Sequence, residues 1–120
     1  ERMDHVDERE RTVALASLDS SIRKLEKTLT SVELKGSSTT VVSKRLQALR
    51  IGRAALQSVW LSRPYTYSAE EANEAKHIIA SLEPSLQAMA SKFKPGSSQA
   101  TLLARRIRSL ELALQALGEM

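Results

Sequence analysis

Apolar residues recur along this 120-residue chain at alternating steps of four and three, in four separate stretches. The first runs Leu18, Ile22, Leu25, Leu29, Val32. The second runs Val42, Leu46, Leu49, Leu56, Trp60, with Arg53 standing where a further apolar residue would fall. The third is Ala75, Ile79, Leu82, Leu86, Met89, Phe93, and the fourth Leu103, Ile107, Leu110, Leu114, Leu117. This spacing lines one face of an α-helix and suits coiled-coil-like packing. No stretch sustains period-two alternation, so four helices and no sheet are predicted.

The polar positions punctuate the same four segments. Gly36 and Gly96 are expected to close the first and third helices, and the serine pairs after them (Ser37-Ser38 and Ser97-Ser98) to cap the next ones. Ser68 with Glu71 reads as a capping box opening the third helix. Pro64 ends the second. Pro84 falls inside the third, where its missing N–H predicts a bend.

The pattern occurs twice. Ser20 to Leu29 returns as His77 to Leu86 in a register of 57 positions (Ile22 against Ile79), and Thr40 to Leu46 returns as Thr101 to Ile107 in a register of 61 (Leu49 against Leu110). A repeat of helix–loop–helix size predicts a duplicated hairpin. Short connections make neighbouring helices antiparallel. The expected fold is therefore all-α: a single-chain antiparallel four-helix bundle. Its halves span 12–62 and 68–120, joined by a linker at 63–67. Residues 1–11 hold five acids and three bases and are expected as a polar extension, either a flexible arm or a frayed continuation of the first helix. A closed monomer is expected in preference to a homodimer exchanging hairpins.

Composition narrows the function classes. Aromatics are 3% of the chain, so aliphatic residues must build the core. With no cysteine there is no disulfide framework, no thiolate nucleophile and no Cys-ligated zinc. No apolar run reaches the roughly 20 residues that cross a bilayer, and the first eleven residues hold no apolar leader segment. A cytoplasmic protein without membrane attachment is expected.

Catalytic and metal chemistry find little support. Glu74-x-x-His77 has the spacing of di-metal helical sites, but such sites need the motif twice, and the repeat places Ser17 and Ser20 at the matching positions. His77 also falls nearly opposite Ile79 on the helix. No catalytic residue, metal site or cofactor is expected.

The formal net charge of +4 is modest, but its distribution is not even. Thr39–Arg45 and Gln99–Arg106 open the second and fourth helices without a single acid. Helix N-termini attract anions. Lys35, Ser37, Ser38, Lys44 and Arg45, with their counterparts Lys94, Ser97, Ser98, Arg105 and Arg106, therefore form a candidate anion-binding end. The second helix carries a further basic strip. Nucleic acid is not favoured as a partner, because aromatic stacking platforms and recognition motifs are missing.

Trp60, Arg63, Tyr65 and Tyr67 gather at the linker. They read either as a plug closing the bundle or as a partner hot spot. Arg53 either extends its guanidinium to water or pairs with Asp19 or Glu83. The function expected is a non-enzymatic protein-interaction or structural module with a protein partner. The alternative is anion or nucleic-acid-backbone binding through the Gly-Ser-Ser loop end and the basic second helix.

Overall fold

Asp7 starts the first long helix by accepting a hydrogen bond from the Glu10 N–H at 2.8 Å, which answers one of the donors a helix start leaves open. In the computed structural model, which describes residues 3–120, four α-helices follow one another: α1 (Glu8–Leu34), α2 (Thr40–Leu61), α3 (Ala69–Ala90) and α4 (Ser98–Glu119). A short 3-10 turn, Met3–His5, precedes them. The protein is an all-α four-helix bundle, as the apolar spacing predicts.

Each connection has a local cause. Gly36, at φ +71°, follows the α1 C-cap, with Gly36 N–H donating to the Glu33 carbonyl and Ser37 N–H to that of Val32. That left-handed step is what glycine supplies cheaply. The Ser68/Glu71 capping box opens α3 with both hydrogen bonds formed. Ser97 caps α4 through the Ala100 N–H.

Three expectations are corrected. The cap of α2 is Thr39, which makes no side-chain capping bond, rather than Ser37 or Ser38. α3 ends at Ala90, so Gly96 (φ +85°) belongs to the turn that starts α4, and Phe93 lies outside the helix. The polar extension has no separate existence among the described residues. α1 begins at Glu8, and Met3 and Val6 are 1% and 3% exposed within the core. Glu1 and Arg2 of that extension lie outside the described residues.

Within each hairpin the helices are antiparallel. Arg50 meets Glu26 at 2.9 Å and Arg53 meets Asp19 at 2.7 Å, low numbers of α1 facing high numbers of α2. The two hairpins are inclined to each other. Lys44, near the start of α2, reaches Glu74 near the start of α3, and Arg108 reaches Glu10 of α1 at 2.8 Å. Helices lying side by side and joined end to end would place Lys44 near the far end of α3. The dimensions agree: 43 × 40 × 20 Å gives two directions each about the length of a 22- to 27-residue helix, at 1.5 Å rise per residue.

The core sits where the hairpins cross. Leu18, Leu56, Ile79, Leu112 and Leu117 are at most 1% exposed there. α2 packs tightly on α4 and α3 at Gly52: a Cβ at that position would stand 3.1 Å from Ala113 Cβ and 3.1 Å from Ile79 Cδ1. The backbones of α1 and α3 stay apart, with no Cα–Cα distance of 8 Å or less between them.

Candidate functional site

The crossing of the hairpins leaves a cleft in place of an α1–α3 contact. Its volume is about 220 Å³, and all four helices line it. Arg45 of α2 and Arg106 of α4, 61 positions apart, stand on its wall with Lys24 of α1. None of these three bases has an acidic partner among the described residues. Arg106 Nε is shut off from solvent and meets no hydrogen-bond acceptor.

The candidate anion-binding residues therefore do not share one cluster. Arg45 and Arg106 face the central cleft. Lys44 faces a different groove, between α2 and α3, where Glu74 lies 3.9 Å from its ammonium. Arg105 faces a third groove, between α1 and α4, beside Glu10 and Arg108. Lys35, Ser37, Ser38 and Lys94 stay exposed on the two loops, Ser98 is exposed as the first residue of α4, and Ser97 Oγ is engaged as the α4 cap. Consecutive helix positions diverge by about 100°; that is why each Lys-Arg or Arg-Arg pair splits between two grooves.

The aromatic cluster is not an exposed hot spot. Trp60 is 9% exposed, its indole N–H donating to the Met3 carbonyl at 3.4 Å. Arg11 stacks over the indole at 5.6 Å and is held in turn by a 2.8 Å bond from its Nε to the Val6 carbonyl. Tyr65 and Tyr67, both half-buried, meet edge to face at 5.7 Å. Burial, with Glu71 and Tyr67 adding smaller effects, raises the Tyr65 hydroxyl above its usual pKa of 10.0. Only Arg63 of the four is well exposed. The gathering of aromatics at the linker was legible in the sequence. Its cover, Met3 and Val6, was not, because those two apolar residues sit inside a run of charges.

Arg53 takes the paired alternative with Asp19, both groups remaining partly solvated. The hairpins differ in this respect. Glu26 corresponds to Glu83 in the 57-position register and Arg50 to Glu111 in the 61-position register, so an ion pair in one hairpin corresponds to two carboxylates in the other. Glu83 titrates above its usual 4.5, first through burial and then through Glu111. His77 is exposed and Glu74 is engaged by Lys44. Among the described residues no group of three or more His, Cys, Asp or Glu is placed to hold a metal ion.

Large exposed apolar side chains concentrate at the hairpin tips, a signal the sequence analysis missed. Leu34 (85% exposed) and Val41 (59%) flank the first loop; Met89, Phe93 and Leu102 flank the second. Met89 and Phe93 belong to the third apolar stripe, whose spacing does not say where the covering helix stops, whereas Leu34, Val41 and Leu102 lie off the stripes altogether. Among the described residues no helix is long and apolar enough to cross a membrane.

Fold and surface together define a small all-α four-helix protein with a basic central cleft and two apolar tips. Comparison with known protein families, with characterised proteins and with solved structures finds no match.

Proposed function

We propose that the chain is a non-enzymatic protein-interaction module, built on a duplicated hairpin and acting as a monomer in the cytoplasm. The observation that carries this reading is the placement of exposed apolar residues. Single exposed leucines are ordinary on a protein surface. Here five of the seven large exposed apolar side chains among the described residues stand at two tips, and each tip joins a pair of antiparallel helices. Lys35 borders the first tip, and Lys92 and Lys94 the second. A partner surface with an apolar centre and acidic rim would answer both features.

The duplicated plan is supported by the contact at the crossing. Gly52 faces Ala113, its own counterpart in the 61-position register, as an isologous contact requires at a two-fold axis. The cleft repeats the pairing with Arg45 and Arg106, Leu49 and Leu110, and, in the other register, Leu25 and Leu82.

The test replaces Leu34 and Val41, then Phe93 and Leu102, with serine. These positions contribute little to the core, so circular dichroism and the Trp60 signal should stay unchanged. A partner recovered with the parent chain should be lost from both double variants. A partner retained equally by parent and variants overturns the reading, as does a parent chain whose recovered partners elute with salt from a basic surface while the tips are immaterial.

A further inference from the structure

The central cleft, unlike the tips, is a cavity lined by all four helices. Its floor is aliphatic: Leu25, Leu49, Leu82, Leu86 and Leu110 converge from all four helices. Its polar wall is cationic, with Lys24, Arg45 and Arg106 present and no acid among the lining residues. Charges placed beside an apolar floor are usually drawn into ion pairs or extended to water. Arg50 and Arg53, one and two turns along α2 from Arg45, find Glu26 and Asp19. Arg45 and Arg106 find no acid among the described residues, and the buried Nε of Arg106 is an N–H donor without an acceptor. Two guanidiniums that line the cleft without an acidic partner offer their charge to an oxyanion bound there.

We propose that this cleft binds a single-chain amphiphilic anion, with an oxyanion head between Arg45 and Arg106 and an aliphatic tail on the five leucines. Guanidinium suits the head because its fork of N–H donors matches carboxylate and phosphate oxygens. The cavity of about 220 Å³ lies below the usual range for drug-sized ligands, so one short chain is accommodated. The nearly two-fold arrangement gives one guanidinium from each hairpin, so the bound head would also tie the hairpins together where α1 and α3 leave a gap.

The experiment is calorimetric titration of the full chain with decanoate below its micellar concentration. Decyl phosphate, decanol, decyltrimethylammonium and inorganic phosphate are titrated alongside. Decanoate or decyl phosphate should bind with one-to-one stoichiometry; which is tighter identifies the head group. Decanol and decyltrimethylammonium should bind at least tenfold more weakly, and inorganic phosphate should bind no better than they do. Arg45→Met, at an exposed position, should weaken the anion at least tenfold while leaving the circular dichroism unchanged. Arg106→Met should do the same; if it fails to fold, Arg45→Met decides alone. Equal binding of decanoate and decanol, equal binding of inorganic phosphate and decyl phosphate, or an unchanged Arg45→Met overturns the proposal. The titration needs no protein partner, so its failure is distinguishable from failure of tip-mediated docking.

Discussion

Adding one methyl group at Gly52 tests the geometry of the whole molecule. Alanine in the middle of an exposed helix is more favourable than glycine by about 1 kcal/mol. At Gly52 that gain meets an obstacle, because the new Cβ would stand 3.1 Å from both Ala113 Cβ and Ile79 Cδ1. Ala113 Cβ is fixed to a helix backbone and cannot rotate away, so α2 and α4 must separate by a few tenths of an ångström. Overpacking of a tight core costs about 1–3 kcal/mol. The balance is a net destabilisation of about 1 kcal/mol for Gly52→Ala, or about 4 °C in Tm for a domain of this size. Urea unfolding followed by circular dichroism and by Trp60 fluorescence measures it. Gly118→Ala is the control, since a Cβ there meets nothing within 4 Å. The paired change Gly52→Ala with Ala113→Gly restores one methyl to the crossing and should recover most of the loss. If Gly52→Ala stabilises as much as Gly118→Ala, the close approach of α2 and α4 is refuted.

Three further outcomes are expected. Because Glu83 holds its proton more tightly in the folded chain than in the unfolded one, its contribution is most favourable below 4.5 and is lost as pH rises through the raised folded value. Glu83→Gln should therefore stabilise at pH 7 and lose that advantage in acid; a gain that grows in acid would contradict this. Met3→Ala should cost about 2 kcal/mol and shift Trp60 emission to the red, whereas unchanged emission would show that Met3 does not cover the indole. Pro84→Ala should raise the unfolding free energy by about 2 kcal/mol, because α3 runs unbroken through Pro84; no change would mean that the missing N–H is already compensated.

The helices were legible because their signals are local. Steps of four and three found every stripe, and the Ser68/Glu71 pair marked the start of α3 correctly. What lay beyond reach was the angle between hairpins. Leu25 and Leu49 read as ordinary stripe positions, and only the crossing turns them into the floor of a cleft. Lys44 and Arg45, like Arg105 and Arg106, diverge by about 100° on their own helices, and only the packing shows which groove each one faces. Gly52 carried no warning either: a glycine inside a helical stripe is tolerated for several reasons, and its counterpart Ala113 becomes informative only when the two are seen to touch. Phe93 misled because a spacing of four continues across a helix end as easily as within it.

The turn at Met3–His5 packs on both α2 and α4, and Met120 borders the groove formed with Tyr65 and Tyr67. Both described ends of the chain thus gather at the side where Trp60 is enclosed, whereas the two loops point away from it. A polypeptide continuing from either described end would start on that side, opposite the two loops. Linkers, tags or surface immobilisation at the termini would leave the tips and the cleft unobstructed. By contrast, a rigid fusion that pulled Met3 away from Trp60 would unseat an end of the core while leaving every helix sequence intact.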